Sequence, residues 1–83
     1  MDILIHPIST EKAIRMLESE NVVTFIVHKN ATRGKIKKEL ENRFKVKISD
    51  IRIMITQKGK KKAYIKLGKD YPAIDIATQL GLM

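Results

Sequence analysis

The chain contains no cysteine, which excludes disulfides and thiolate metal sites. It has two prolines, Pro7 and Pro72, both near the ends, and four glycines, so no Pro/Gly/Ser linker divides it. No apolar run approaches the ~18 residues of a membrane span. Met1 to Pro7 lacks the basic start and long apolar stretch of a signal peptide. Histidine is limited to His6 and His28, and His28 reads as an edge residue at the end of a strand rather than a general base. There is no His/Cys ligand cluster, no phosphate-cradling glycine loop and no pair of neighbouring carboxylates in an apolar setting. Glu39 and Glu41 are two apart on a predicted helix and point in different directions. These absences weigh against an enzyme, a metal protein and a small-molecule cofactor. A small phosphohydrolase would need an anion-cradling loop beside a strand, and none is found. Known RNA-binding signatures are missing too. Gly34 is followed by Lys35-Ile36-Lys37, not by the Gly-x-x-Gly clamp of KH modules, and the stretch 62–67 holds one aromatic where the RNA-recognition-motif octapeptide needs several.

What the chain does have is positive charge. Seventeen Lys and Arg face nine Asp and Glu, a net charge of +8 over 83 residues. Residues 29–69 hold fifteen of the bases and three of the acids, a local charge of +12, while 1–28 and 70–83 are each −2. Such asymmetry predicts one face for a large anionic polymer and another for solvent or protein. The hydrophobic fraction of 43% is that of a globular chain, not of a disordered basic tail. The length predicts a single domain, 1–83, with a small core.

The apolar pattern predicts seven elements. Ile3-Leu4-Ile5 is a short strand or an extended lead-in, ended by Pro7. Ser9 or Thr10 caps a helix with Glu11 in its first turn and Ala13, Ile14 and Leu17 on its apolar side, Met16 at the border. Val22 to His28 is almost continuously apolar and β-branched, which predicts a central strand covered on both faces. Asn30 or Thr32 caps a second helix, with Ile36, Leu40 and Phe44 buried and Lys35, Lys37, Lys38, Glu39 and Glu41 outward. Val46 to Ile55 alternates, but its phase slips at Ser49-Asp50, which predicts a bend or bulge. Gln57 to Lys61 is a turn around Gly59. Lys62 to Leu67 alternates again, so the two strands form an antiparallel hairpin. Asp70 or Tyr71 caps a last helix with Pro72 in its first position, Ala73, Ile76, Ala77 and Leu80 inward, and Gly81 as its stop. The expected fold is α+β: a small α/β sandwich with a mostly antiparallel sheet of three to four strands packed with helices, in the order (β)-α-β-α-β-β-α.

The last hairpin carries the most informative polar face. Arg52, Met54 and Thr56 are expected to share it with Lys62, Tyr64 and Lys66. Bases around an aromatic ring can hold phosphates and stack on a nucleobase or ribose. The other reading of Tyr64 is that a terminal helix covers this face and the ring packs beneath it. Lys58, Lys60, Lys61 and Lys62 crowd the hairpin tip, where they can lie along an RNA backbone and release counterions. With Arg52, Tyr64 and Lys66 of the hairpin face, and Lys29, Arg33, Lys35, Lys37 and Lys38 from the second helix and its approach, these four lysines are the candidate RNA-binding set.

Three stretches resemble one family, the large-subunit ribosomal protein L-twenty-three family. His6-Pro7-Ile8-Ser9-Thr10-Glu11-Lys12-Ala13 is similar to its N-terminal Pro-x-Ser/Thr-Glu-Lys segment. Lys35-Ile36-Lys37 through Phe44-Lys45-Val46 resembles its second helix and the strand entry after it. Lys61-Lys62-Ala63-Tyr64-Ile65-Lys66-Leu67 is similar to its signature of two basic residues, Ala, an aromatic, an aliphatic, a basic residue and Leu. Gly68 departs from the small polar residue that usually follows. The short Gln57–Lys61 turn lacks the long hairpin of the bacterial form, the eukaryotic N-terminal extension is not seen, and the stretch Asp70 to Ala77 is similar to archaeal and eukaryotic members. The chain therefore resembles the archaeal type.

The resemblance implies a structural constituent of the large ribosomal subunit, bound to large-subunit ribosomal RNA at the mouth of the polypeptide exit tunnel in the cytoplasm. It implies the neighbouring ribosomal protein L-twenty-nine as a partner. It also implies a docking surface for nascent-chain factors, among them signal recognition particle, the protein-conducting channel and chaperones, with no membrane insertion of its own. The bacterial trigger-factor site matches Ser9, Thr10 and Glu11; archaea lack that factor, so these residues carry over only as an exposed docking surface. A carboxylate stabilising the start of a helix is the rival role for Glu11. From the residues alone, a free-standing architectural nucleic-acid protein is the competing class, although such proteins tend to be dimers with apolar wedges or β-arms.

Overall fold

A computed structural model describes residues 3–81. Met1, Asp2, Leu82 and Met83, which the single-domain expectation also spans, lie outside the described residues. The elements follow the expected order: β1 (Leu4–Pro7), α1 (Glu11–Ser19), β2 (Val22–Val27), α2 (Arg33–Phe44), β3 (Ile48–Ile55), β4 (Lys61–Leu67) and α3 (Ala73–Gln79). The four strands form one antiparallel sheet in the order β1-β2-β4-β3. Pro7, which has no N–H to give a ladder, ends an edge strand.

Residues two apart share a sheet face. Val23, Phe25 and Val27 of β2, Ala63, Ile65 and Leu67 of β4 and Ile51 of β3 make up one face, and all belong to a single buried cluster. Ile36 and Leu40 of α2 and Ala73, Ile76 and Ala77 of α3 complete that cluster, joined by Leu17 of α1, so α2 and α3 cover this face. Burying a Leu or Ile side chain stabilises by about 1.5–3 kcal/mol, and this layer holds the domain together.

All six residues of β2 are buried, as its composition predicts for a central strand. Val22, Thr24 and Ile26 point away from the helical cluster, yet stay buried. Their cross-strand partners on β4 are Lys66, Tyr64 and Lys62, whose long apolar stems or ring lean over them. The Thr24 hydroxyl is buried there without a partner among the described residues.

Local signals act largely as read. Thr10 Oγ1 accepts the Ala13 N–H at 3.2 Å to cap α1, and Thr32 Oγ1 accepts that of Lys35 at 3.3 Å to cap α2. The phase slip appears as a register shift between Ile48 and Asp50 against β4. Gly59 turns the hairpin with φ 78°. Two expectations are corrected. Neither Asp70 nor Tyr71 caps α3: Pro72 takes the cap position and provides no side-chain bond. The Ala73 N–H instead donates to Oδ1 of Asn21 at 2.6 Å. Glu41 does not simply face outward either, because its Oε2 accepts the Ile48 N–H at 3.1 Å and ties the end of α2 to the start of β3.

Candidate nucleic-acid interface

The sheet face opposite α2 and α3 carries the polar row of the hairpin, and α1 borders it. Register pairs Asp50 with Lys66, Arg52 with Tyr64 and Met54 with Lys62, so these six side chains share one face. The buried residues of α3 lie in the core cluster on the other side, so the last helix does not cover Tyr64. Tyr64 is half-buried. Beside it, Lys12 and Met16 on successive turns of α1 form a wall, and Val22 and Tyr64 lie in the floor of a concavity of about 340 Å³. Lys12, Met16 and Glu20 follow the spacing of one helix face. Sequence reading did not bring them to this site, since the spacing names a face without naming its neighbour.

The hairpin tip is a closed loop. The Thr56 N–H donates to the Lys60 carbonyl at 2.8 Å, the Gly59 N–H to the Thr56 carbonyl at 2.9 Å, and the Lys60 N–H to Thr56 Oγ1 at 3.1 Å. Lys58 and Lys60 are exposed on it. Lys61 behaves differently. Its ammonium donates to the Ala31 carbonyl at 2.6 Å and the Lys29 carbonyl at 3.4 Å, on the helical side of the sheet. Lys61 thus fastens the β2–α2 connection, while Lys62, one residue on, points to the open face.

Lys29 stands in that connection, exposed, and shares with Lys60 and His28 a second hollow of about 340 Å³. His28 Nδ1 accepts the Asn30 N–H at 3.1 Å, which leaves Nε2 to carry a proton in the neutral ring. Arg33, Lys35, Lys37 and Lys38 are exposed on α2, in the helical layer. Arg33 and Lys37 border a shallow groove of about 220 Å³ against β3. The candidate bases therefore do not form one flat patch. They flank the β3 edge: the α2 set on one side, Arg52, Lys62 and Lys66 on the other, and Lys58 and Lys60 at the tip.

These bases have no carboxylate partner among the described residues. Among the described residues, only Arg15–Glu11 and Arg43–Glu39 make ion pairs, each at 3.4 Å. These cations are thus available to an external anion, and binding them releases counterions from a nucleic acid.

Ser9, Thr10 and Glu11 sit elsewhere. They follow β1, on the opposite edge of the sheet from β3, and all three are exposed. The Thr10 hydroxyl is used as a cap, and Glu11 makes its exposed pair with Arg15. The separation matches the charge split of the sequence: bases around β3, acids on α1 and on the approach to and first turn of α3.

The family model described as Ribosomal protein L23 matches residues 2–74. A curated relative, the large ribosomal subunit protein uL23 of the archaeon Thermoplasma acidophilum, is 52% identical over 81 residues, which is 98% of this chain and 95% of the relative's length.

Proposed function

Since the chain belongs to the ribosomal protein L23 family, we propose that it serves as a structural constituent of the large ribosomal subunit, not as an enzyme, and that it binds large-subunit ribosomal RNA. The observation that carries the RNA reading is the belt of exposed bases around β3 without internal carboxylate partners. In this reading Lys29, Arg33, Lys35, Lys37 and Lys38 meet RNA from the helical side. Lys58 and Lys60 meet it at the hairpin tip, and Arg52, Lys62, Tyr64 and Lys66 from the open sheet face. Lys61 contributes by holding the β2–α2 connection in place.

The resemblance extends the proposal to a cytoplasmic, ribosome-bound protein at the exit of the polypeptide tunnel, beside ribosomal protein L-twenty-nine. Ser9, Thr10 and Glu11, exposed between the β1 edge and α1, are then the surface offered to signal recognition particle, the protein-conducting channel or chaperones.

The test is binding to a large-subunit ribosomal RNA fragment and to a length-matched scrambled RNA at two salt concentrations. Tighter binding to the ribosomal fragment that survives the higher salt is expected. Equal binding to both RNAs, collapsing with salt, indicates charge alone and favours a general architectural protein. Co-sedimentation with large subunits at high salt separates the same two readings.

A further inference from the structure

The concavity between α1 and the open sheet face contains a feature that phosphate binding does not explain. Asp50, one of three acids in the +12 segment, stands on this face opposite Lys66 and diagonal to Tyr64. It nevertheless makes no ion pair with either Lys66 or Arg52. Its Oδ1 accepts the N–H of Ile51 at 2.9 Å, which fixes the carboxylate and leaves further acceptor sites on both oxygens. The concavity is lined by Asp50 as well as by Met16, Val22 and Tyr64. Its volume of about 340 Å³ lies at the low end of small-molecule sites, enough for one nucleoside and too little for a duplex.

We propose that this concavity holds one unpaired nucleotide of the bound RNA, a guanine, stacked on Tyr64 and read by the Asp50 carboxylate. The proposal rests on the RNA-binding reading above and names the subsite within it. A tyrosine ring accepts any base on its face. The carboxylate supplies the choice. Two acceptor oxygens side by side complement two adjacent donors, and guanine alone presents these on its Watson–Crick edge, as N1–H and N2–H. Adenine and cytosine place an acceptor beside their amino group, and uracil flanks its one N–H with two carbonyls. The diagonal separation of Tyr64 and Asp50 on neighbouring strands, on the order of 7–8 Å, suits a purine lying on the ring with its edge toward the carboxylate. Arg52 and Lys66, on either side, can take the phosphates of the same nucleotide, while the Met16 thioether packs against the base.

The experiment uses the full chain with Tyr71→Phe, which leaves Tyr64 as its one tyrosine. It is titrated with the pentanucleotides UUGUU, UUAUU, UUCUU and UUUUU, reading tyrosine fluorescence. UUGUU is expected to quench Tyr64 and to bind at least about 5-fold tighter than the others, the lower end of what a good bidentate base contact discriminates. Asp50→Asn is expected to abolish that preference without weakening UUUUU. Tyr64→Leu and Tyr64→Phe leave this chain without a tyrosine, so their binding is read by the anisotropy of end-labelled oligomers: Tyr64→Leu is expected to weaken all four by about 5-fold or more, and Tyr64→Phe to bind like the parent chain, because the ring and not the hydroxyl stacks. Equal affinity for the four oligomers overturns the proposal, as does a guanine preference that persists in Asp50→Asn. The ribosomal RNA fragment separates the two levels. If it binds specifically but ignores both Asp50→Asn and Tyr64→Leu, the guanine subsite fails and the RNA-binding reading stands. If it binds no better than scrambled RNA, the reading beneath the subsite fails.

Discussion

Replacing Asn21 by Ala tests how the third helix is attached. Asn21 has a left-handed backbone, φ 58°, and its half-buried amide gathers four main-chain groups from the connection between β4 and α3. Nδ2 donates to the carbonyls of Tyr71 at 3.1 Å, Gly68 at 3.3 Å and Leu67 at 3.4 Å, and Oδ1 accepts the Ala73 N–H at 2.6 Å. Ala73 is wholly buried, so in Asn21→Ala its N–H is stranded away from water. That costs about 1–3 kcal/mol. The Tyr71 carbonyl loses its bond, for about 0.5–1 kcal/mol more. Alanine also tolerates the left-handed conformation less well than asparagine, for up to about 1 kcal/mol. The two longest contacts add little. The total is about 3 kcal/mol, which for a chain of this size corresponds to a fall in Tm of roughly 12–24 °C. Urea unfolding followed by circular dichroism reads the change, with the slope m checked for constancy. Asn21→Gly loses the same bonds but relieves the backbone, and is expected to be about 1 kcal/mol more stable than Asn21→Ala. A loss below about 1 kcal/mol in Asn21→Ala, against the stranded-amide cost, or a glycine variant no better than the alanine one, refutes this account of the attachment.

Other expectations follow from neighbouring details. Lys61→Ala removes the 2.6 Å bond to the Ala31 carbonyl and is expected to lower stability by about 1 kcal/mol while leaving the salt slope of RNA binding unchanged. Lys60→Ala is expected to do the reverse: unchanged urea midpoint, and a slope of log K against log salt shallower by about 0.7–0.9, one phosphate contact. Thr24→Val replaces a buried hydroxyl that has no partner among the described residues by a methyl group and is expected to stabilise by about 1 kcal/mol, seen as a raised urea midpoint; a lowered midpoint means that the hydroxyl is satisfied. Gly59→Ala adds a Cβ into open space at φ 78°, so its cost is backbone strain alone, about 1 kcal/mol in the same measurement.

Features that depend on near neighbours along the chain were legible in the residues alone. Alternation revealed the strands, Thr10 and Thr32 the helix starts, Gly59 the turn, and a one-residue phase slip the irregularity at Ser49-Asp50. Each is a local preference of backbone or side chain, legible within a few residues. Alternation also predicts that Lys62, Tyr64 and Lys66 share a face, but not which face the helices choose to cover. Tertiary structure decided that. It put α3 on the Ile65 side, left Tyr64 open, and brought Lys12 and Met16 of α1 beside it. It also separated Lys61 from the other tip lysines, because its carbonyl acceptor Ala31 lies 30 residues away. The cap of α3 likewise comes from Asn21, 52 residues before Ala73. Bonds of this kind depend on which surfaces meet when the chain closes on itself. That outcome is set by the summed burial of the whole core, and no short stretch of sequence carries it.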